Sequence, residues 1–366
     1  MRAESPEQKK KLRSGFTTGA CATATSLAAA TLLLENEPLD AIEICLPRGE
    51  LTRFVLTYCR LGPKQHEAHC ATIKDAGDDP DVTHRAEIIA TVALTSAVGV
   101  KFVAGQGVGT VTRAGLSLEV GEPAINPVPR EMMTMHLGKL AERNAYTGGF
   151  RITISITHGV ALAKKTMNAR LGIIGGLSIL GTTGIVKPFS CAAYIASIHQ
   201  AMDVAKANGL EHIAACTGST SDRIIQSIYT LDEMARIEMG DYVGAVLKHA
   251  RKVSFRKMTF IGGFGKISKL AEGQLNLHSQ KSSINFPRFA QLAAQYRRDG
   301  DLQNRLLGAN TSAEVLNICA EFDIPIADDI CTLALQQLQS RLDPAIEVEC
   351  ITIDKSGSVI ARVFGK

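Results

Sequence analysis

Three segments rich in glycine, serine and threonine each follow a short apolar run, and their backbone N–H groups could bind an anionic ligand. They are LGIIGGLSILGTTGIVKP (171–188), ACTGSTSDR (215–223) and FIGGFGKISKLAEG (260–273). Glycine lets a ligand approach the backbone closely, and a helix that starts there directs its N–H groups toward an anion. None of the three matches GxGxxG or the P-loop spacing, so phosphate binding is not specifically encoded and structural turns remain an alternative.

An acidic segment, KDAGDDPDVT (74–83), carries four aspartates that could act in catalysis, Asp75, Asp78, Asp79 and Asp81. Crowded carboxylates raise one another's pKa, which suits a general base. A loop for a divalent cation is a second interpretation, although the EF-hand spacing and its terminal Glu are missing. A solvated turn with aspartate caps is the third, and spacing alone favours it.

Other polar residues give weaker signals. The segment GEPAINPVPREM (121–132) contains three prolines, which predicts a stiff extended loop, and Arg130 near its end could pair with a substrate carboxylate. His66 and His69 face opposite ways on a strand, and HEAH misses the helical HExxH spacing, so we predict no metal site. No GxSxG elbow occurs, and no cysteine–histidine pair has a recognisable catalytic setting.

The first part of the chain has the sequence pattern of an α+β domain with a mixed sheet, which we assign to residues 1–165. Alanine- and leucine-rich sequence predicts a helix over 19–35. Alternating apolar residues predict a set of strands, at 41–46, 51–59, 66–74, 86–96 and 150–159. The first two strands flank a turn signal and should form a hairpin.

After about residue 170, short apolar runs alternate with helical stretches, so we assign 166–342 to a Rossmann-like α/β domain with additional helices. Its expected elements are strands at 171–176, 211–216 and 258–263, helices at 190–208 and 241–252, and two or three more helices between 286 and 342. The tail, 343–366, reads as a hairpin whose alternation resembles the first part, so we expect it to return to the N-terminal sheet. Ligands bind beyond the carboxyl ends of parallel strands, so the three glycine loops should share one edge.

Composition narrows the class of protein. The chain has 366 residues, of which 45% are hydrophobic and 21% charged, which is globular composition and long enough for two domains. A net charge of +4, scattered basic residues and the absence of Trp argue against nucleic acid as a partner and suit an acidic substrate. Nine cysteines without a CxxC pair indicate free thiols in a cytoplasmic protein, and no apolar run is long enough to span a membrane.

Taken together, eight motifs resemble those of the cobalt-precorrin-5B C(1)-methyltransferase family, which belongs to anaerobic cobalamin biosynthesis. The motifs occur in the family's order from about residue 12 to 280, and the last part of the chain matches less distinctively. They are GFTTGACATA (15–24), DAGDDPDVT (75–83), GQGVGTVT (105–112), GEPAINPVPRE (121–131), NARLGIIGGLSILGTTGIVKP (168–188), TGSTS (217–221), GDYVG (240–244) and GGFGKISKLAEG with NLHS (262–279). Ala20 is a conservative departure, because many members have Thr there.

The resemblance implies that S-adenosylmethionine donates a methyl group to carbon 1 of a ring-contracted cobalt-tetrapyrrole, giving cobalt-precorrin-6A and S-adenosylhomocysteine. Cobalt then enters only as part of the anionic substrate. The resemblance also implies two parts, an α+β domain and a Rossmann-like domain. Methyl transfer to a substrate carbon needs positioning rather than a protein nucleophile, and good orientation can supply roughly 7–11 kcal/mol.

On this basis we assign roles to candidate residues. Asp78 or Asp79 is the catalytic carboxylate, which accepts a proton or faces the sulfonium. The donor is expected at the glycine loops, at Gly175, Gly176, Ser178, Gly181, Thr182, Thr183, Thr217, Gly218, Ser219, Gly262 and Gly263. The substrate is expected at polar and basic side chains, Thr17, Thr18, Arg130, Lys266, Lys269 and His278.

Two other functions stay open at this point. A nucleotide- or NAD-dependent enzyme could use the same glycine loops, although the Rossmann fingerprint is missing. A non-catalytic tetrapyrrole carrier would need the acidic loop only for its shape. A homodimer, and transient contact with neighbouring pathway enzymes, are further open expectations about partners.

Overall fold

The computed structural model describes residues 12–64 and 66–365, which divide into two compact units, Met1–Cys191 and Ala192–Lys366. Each unit combines helices with sheets, so the predicted mixture of α/β and α+β structure is confirmed. The division lies later in the chain than the predicted boundary at 165/166, because short strands between residues 173 and 186 pair with strands of the first unit. Across the described residues, no helix combines the length and the apolar character needed to cross a membrane.

The described part of the first unit contains three helices and thirteen short strands. The helices are α1 (Thr18–Glu35), α2 (Pro127–Arg143) and α3 (Gly159–Ala163). The strands are β1 (Gly15–Phe16), β2 (Ala41–Cys45), β3 (Leu51–Val55), β4 (Tyr58–Leu61), β5 (Glu67–Ile73), β6 (Glu87–Thr95), β7 (Gly99–Ala104), β8 (Gly107–Val108), β9 (Thr110–Val111), β10 (Gly149–Ile156), β11 (Ile173–Ile174), β12 (Gly176–Leu177) and β13 (Ile185–Val186). The predicted first helix and hairpin are confirmed, although the segment 51–59 is split between β3 and β4.

Helix α1 lies at the centre of the first unit. Strands β4, β5, β6, β10 and β7 form one sheet in that order, antiparallel except for the parallel pair β10 and β7. Helix α1 packs on β5, β6 and α2, and its small alanines allow a close approach. Its buried threonines donate back to carbonyls of the preceding turn, as Thr23 does to Gly19 at 2.9 Å, so few polar groups are left without a partner.

The prolines of the segment 121–132 mark the start of a helix, and the predicted extended loop is therefore wrong for its second half. Helix α2 begins at Pro127, and Pro129 lies in the same first turn. Proline is tolerated there because the first N–H groups of a helix have no partner within the helix.

Cys59 and Cys70 form a disulfide, whereas the sequence was expected to hold only free thiols. The two residues lie directly opposite each other in the register of β4 and β5, which places their Cα atoms 4.2 Å apart. This pairing follows from strand register, which the spacing of the cysteines along the chain does not encode. The other cysteines form no disulfide, Cys21, Cys45, Cys191, Cys216, Cys319, Cys331 and Cys350.

The second unit is built around one five-stranded sheet. Its strands are β14 (His212–Cys216), β15 (Arg236–Glu238), β16 (Lys257–Gly263), β17 (Glu347–Ile353) and β18 (Val359–Gly365). Its helices are α4 (Cys191–Ala207), α5 (Ser219–Ile228), α6 (Val243–Ala250), α7 (Phe264–Ala271), α8 (Phe286–Tyr296), α9 (Gly300–Gly308), α10 (Ser312–Glu321) and α11 (Ile326–Gln339). Four helices thus follow residue 286, where two or three were predicted.

The strand order in this sheet is β15, β14, β16, β17, β18, with parallel pairing throughout except between β17 and β18. The parallel strands predicted at 211–216 and 258–263 are confirmed. The strand predicted at 171–176 is not part of this sheet, because it is divided into β11 and β12, which pair with β9 and β8 of the first unit.

The C-terminal hairpin belongs to the second sheet, so the expectation that it returns to the N-terminal sheet is wrong. Strand β17 pairs along its whole length with β16, from Lys257 opposite Glu347 to Gly263 opposite Ile353. After its first residue, β17 is buried on both faces, as an interior parallel strand requires. Its apparent alternation therefore does not indicate a strand with one solvated face.

Candidate functional site

A cavity of about 1200 Å³ lies in the second unit, beyond the carboxyl ends of β14, β16 and β17. In the sheet, β15 lies on one side of β14 and β16 on the other. The chain therefore runs from β14 to β15 and then crosses over to β16. The connections that leave β14 and β16 therefore diverge and open a crevice between them. Open α/β sheets bind their ligands at such a switch point.

Two helices begin at this crevice and favour negative charge there. Helix α5 starts after Gly218, and α7 starts after Gly263; both glycines and both first turns line the cavity. A Cβ atom added at either glycine would meet no protein atom within 4 Å, so the backbone there is open to a ligand. The N–H groups of the first turns have no acceptor within their own helices, so they can donate to a carboxylate, and the helix dipoles add a favourable potential.

Lys266 connects the segments that follow β14, β15 and β16. It lies in the first turn of α7, its Nζ donates to the carbonyl of Thr217 after β14 at 3.0 Å, and it lies 3.0 Å from Oδ1 of Asp241 after β15. The predicted contact of Lys266 with a substrate carboxylate stays a prediction, and in this structure its charge is engaged with the protein. Lys266 therefore fixes the shape of the crevice.

The two other predicted basic residues lie on the same wall. Lys269 is buried, and its Nζ donates to the carbonyl of Leu277 at 2.9 Å. His278 directly follows Leu277 in the sequence. It is exposed, and its Nδ1 accepts a hydrogen bond from the backbone N–H of Gln280 at 3.2 Å. Lys269 thus holds the segment that presents His278 at the cavity.

Several residues of the cavity gave no signal in the sequence. Phe264 of α7, Ile284 and Leu316 of α10 form an apolar wall, while Asp354 and Lys355 reach the cavity from the turn between β17 and β18. Asp241 was also missed, although it lies in the motif GDYVG just after the strand that neighbours β14. The alternation of strands and helices could have indicated Asp241, because it follows a strand. Leu316, Asp354 and Lys355 could not be found in this way, because the tertiary fold brings them to the cavity.

The first glycine loop does not belong to this cavity, so the expectation that three loops share one sheet edge is wrong, although two of them do. A Cβ atom at Gly176 would lie 2.3 Å from the backbone of Gly107, and one at Gly181 would lie 2.3 Å from the side chain of Thr17. These two glycines are required for close packing of the chain. The remaining predicted donor residues of this loop also lie in the first unit, Gly175, Ser178, Thr182 and Thr183.

Thr17 and Thr18 are both engaged at the start of α1. The Thr17 hydroxyl caps the helix by accepting from the backbone of Ala20 at 3.1 Å. The Thr18 hydroxyl donates to the carbonyl of Leu180 at 3.2 Å and accepts from its N–H at 3.0 Å. Their predicted contact with the substrate stays a prediction, and their observed role is to join the helix to the first glycine loop.

Asp78 and Asp79, the predicted catalytic carboxylates, both accept hydrogen bonds from the backbone. Asp78 accepts from the N–H of Arg13 at 2.6 Å, and Asp79 accepts from the N–H of Phe189 at 2.9 Å. These bonds join the acidic loop to segments that are distant in sequence. A catalytic role for either carboxylate stays a prediction.

The neighbouring aspartates do not show the raised pKa expected from crowding. The Arg13 guanidinium, hydrogen-bonded to Asp75, lowers the pKa of that carboxyl to about 2. Burial raises the pKa of Asp81, but the ion pair with Lys74 and hydrogen bonds outweigh it, and the net pKa is lowered. Lys74 is completely buried and also donates to Thr83 at 2.7 Å, so the loop is held by an internal charged network.

Arg130 uses its guanidinium inside the first unit. It donates to the carbonyl of Ile125 at 2.7 Å and to that of Pro123 at 3.0 Å, and it pairs with Glu122 at 2.6 Å. The observed role of Arg130 is to hold the segment before α2, and its predicted contact with a substrate carboxylate stays a prediction. Within the described ranges, no three His, Cys, Asp or Glu side chains are grouped as a metal site would require.

Two family models match this chain: CbiD over residues 5–188, and the CbiD C-terminal domain over residues 276–364. The first alone spans half of the sequence. The chain belongs to the CbiD family. The stretch between the two matches contains β14 to β16, so the glycine turns of the crevice in this CbiD chain lie between the two family models, and its remaining walls lie within the second.

Relatives of this CbiD chain cover the intervening stretch as well. A protein of Pseudomonas savastanoi pv. phaseolicola is 57% identical over 99% of this chain and 97% of its own length. One of Burkholderia lata is 57% identical over 99% of both chains. Both are named cobalt-precorrin-5B C(1)-methyltransferase. A crystal structure of the cobalamin biosynthesis protein CbiD from Archaeoglobus fulgidus is 27% identical, covers 70% of this chain and 79% of its own, and gives a TM-score of 0.39.

Proposed function

We propose that this chain transfers the methyl group of S-adenosylmethionine to carbon 1 of cobalt-precorrin-5B, giving cobalt-precorrin-6A and S-adenosylhomocysteine. The observation that carries this proposal is the 57% identity to methyltransferases of that name over 362 residues of the chain. Because this identity extends over both units, it is not the signature of a single shared domain.

We assign the methyl donor to the crevice of the second unit. When bound, S-adenosylmethionine supplies an electrophilic methyl group on a positively charged sulfonium. The first turns of α5 and α7 would hold its carboxylate with backbone N–H groups, and Gly218 and Gly263 leave the space for that approach. The apolar wall that contains Phe264 and Leu316 would exclude water from the adenine ring.

Catalysis by this chain is expected to depend mainly on positioning. The attacking carbon belongs to the substrate, so the protein needs to orient the two reactants, and orientation can supply roughly 7–11 kcal/mol. Lys355 and His278 are exposed at the cavity and are candidates to bind carboxylates of the tetrapyrrole. Thr17, Thr18 and Arg130 stay predicted substrate contacts, and Asp78 and Asp79 stay predicted catalytic carboxylates.

The reaction is tested by incubating the purified chain with cobalt-precorrin-5B and S-adenosylmethionine that carries a labelled methyl group. We expect the label to appear on the tetrapyrrole at a one-to-one ratio with S-adenosylhomocysteine. Binding of the tetrapyrrole without any transfer would instead support a carrier. Binding of NAD, without binding of S-adenosylmethionine, would support the nucleotide-dependent alternative.

The two predicted catalytic carboxylates are tested by Asp78→Asn and Asp79→Asn, singly and together. Asparagine keeps an oxygen that can accept from the Arg13 and Phe189 backbones, so the loop should stay in place while the negative charge is lost. A carboxylate that acts on a proton should lower kcat by roughly 10²–10⁴-fold when it is removed. Unchanged turnover in the double variant would eliminate the catalytic assignment and leave the enzyme proposal intact.

Two further proposals concern the cellular location and the oligomeric state of the protein. We place the enzyme in the cytoplasm, where a tetrapyrrole pathway and its methyl donor would meet, and we retain a homodimer and transient contact with pathway enzymes as predictions. Light scattering coupled to size-exclusion chromatography measures the molar mass in solution. A mass of one chain, 39.1 kDa, across the usable concentration range would rule out the homodimer.

A further inference from the structure

We infer that Asp241 binds the sugar hydroxyls of the nucleoside in the methyl donor, an inference that rests on the donor site proposed above. Asp241 follows β15, the outer strand beside β14, and it lines the cavity. An acidic residue at the end of the strand next to the glycine turn is placed to accept hydrogen bonds from ribose hydroxyls. Asp241 has this place in the topology although the glycine fingerprint itself is missing.

One oxygen of this carboxylate has a single charged partner and can accept further hydrogen bonds. Oδ1 of Asp241 is buried, and Lys266 Nζ lies 3.0 Å from it as an ion pair, which leaves other lone pairs of the carboxylate available. Buried carboxylate oxygens normally accept hydrogen bonds, because leaving them without donors costs free energy. The Asp241 side chain as a whole is 23% exposed and lines the cavity, so a pair of ribose hydroxyls would donate to this carboxylate from the cavity side.

The same geometry argues against the sulfonium as the partner of Asp241. Lys266 already places a positive charge against this carboxylate, and a sulfonium beside it would meet a like charge. Neutral hydroxyls meet no such repulsion. Lys266 is thus a positioning residue, which holds the Asp241 carboxylate at the wall of the crevice.

The test measures binding of S-adenosylmethionine and S-adenosylhomocysteine by isothermal titration calorimetry, to the full chain and to Asp241→Asn. The matched control is Asp203→Asn, which changes a partly exposed and ion-paired carboxylate of the second unit that lies outside the cavity. We expect Asp241→Asn to weaken both ligands equally, by about tenfold or more, and the control to stay within about threefold of the parent. Thermal melting of each variant without ligand reports whether the fold is retained.

A second measurement separates a sugar contact from a general disturbance of the crevice. Adenosine, 2′-deoxyadenosine and 3′-deoxyadenosine compete with S-adenosylhomocysteine, and the parent chain should prefer adenosine to at least one deoxy analogue by about tenfold. In Asp241→Asn that preference should shrink toward one. An unchanged preference would overturn the inference even if all affinities fall.

The remaining outcomes distinguish this inference from the proposed function. Loss of S-adenosylmethionine binding with S-adenosylhomocysteine binding retained would show that Asp241 responds to the sulfonium, which overturns the sugar contact and keeps the donor site. Unchanged binding of both ligands would also overturn the sugar contact and keep the donor site. Failure of the parent chain to bind either ligand would overturn both the donor site and the inference.

Discussion

Glycines serve opposite purposes in the two units. In the first unit, Gly176 and Gly181 lie where the chain packs so closely that a Cβ atom would overlap with Gly107 or Thr17. In the second unit, Gly218 and Gly263 face open space at the cavity, and no protein atom lies within 4 Å of an added Cβ. In the sequence, the segments that contain these glycines are all rich in glycine, serine and threonine. Only the surroundings show which glycines are needed for packing and which leave room for a ligand.

Two lysines repeat this contrast. Lys74 of the first unit is completely buried and satisfied by Asp81 and Thr83, whereas Lys266 of the second unit is about one-third exposed and faces the cavity. The first unit therefore uses Lys74, Gly176 and Gly181 for internal structure. The second unit leaves comparable groups where a ligand can reach them.

The sharpest test of this contrast is the same substitution at the two kinds of glycine. Gly176→Ala should lower the free energy of unfolding by about 3 kcal/mol or more, because the new methyl group meets the Gly107 backbone, which cannot rotate away. Gly263→Ala should change it by less than about 0.5 kcal/mol, since its Cβ is unobstructed. Scanning calorimetry measures both values. Equal stabilities would contradict the assignment of Gly176 to packing.

Replacement of each lysine should show the same contrast between the units, with a smaller difference in the free energy of unfolding. Lys74→Met leaves Asp81 without its buried partner, and breaking such a pair costs about 3–5 kcal/mol, which the partial exposure of Asp81 reduces to about 2 kcal/mol. Lys266→Met breaks a partly exposed pair, for which we expect a loss below about 1 kcal/mol. Urea unfolding curves give both values. A larger loss of stability in Lys266→Met than in Lys74→Met would show that Lys266 serves mainly to stabilise the second unit.

The sequence predicted the elements whose pattern is local and repeated. The helix at Thr18–Glu35, the strand at Gly149–Ile156 and the strands β14 and β16 follow from alternation, from helical composition and from flanking turn residues. Helix α2 was missed because its prolines were interpreted as extended chain, although proline fits the first turn of a helix. The number of late helices was underestimated because their breaks are short.

The site was predicted only in part, because sheet membership is a tertiary property. The loops after β14 and β16 were placed on one edge correctly, since parallel strands carry their following loops to the same side. The loop at 171–188 was misplaced because two-residue strands that pair with β8 and β9 look like one buried strand in the sequence. Leu316 and Lys355 reach the cavity from helices and turns that no local motif connects with it.

The substitution Gly263→Ala also tests whether the open crevice binds a ligand. We expect Gly263→Ala to weaken binding of S-adenosylhomocysteine by about tenfold, because forcing a methyl group into occupied space costs about 1–3 kcal/mol. The matched control is Gly308→Ala, which adds the same methyl group at an equally unobstructed position outside the cavity. Calorimetric titration measures the affinities. Equal affinities for both variants would place the ligand elsewhere.

The smallest expected effect is the acid sensitivity of the first unit. Arg13 lowers the pKa of Asp75 to about 2, below the value of about 3.9 for an unfolded chain, so this carboxylate stabilises the folded state above that higher pH. The contribution should be lost as the pH falls from about 4 to about 2, and exposure limits it to below about 1 kcal/mol. Asp75→Asn and Arg13→Gln should each flatten the dependence of unfolding free energy on pH in this window. Their combination should add nothing further, and additive effects would show that the two residues act independently.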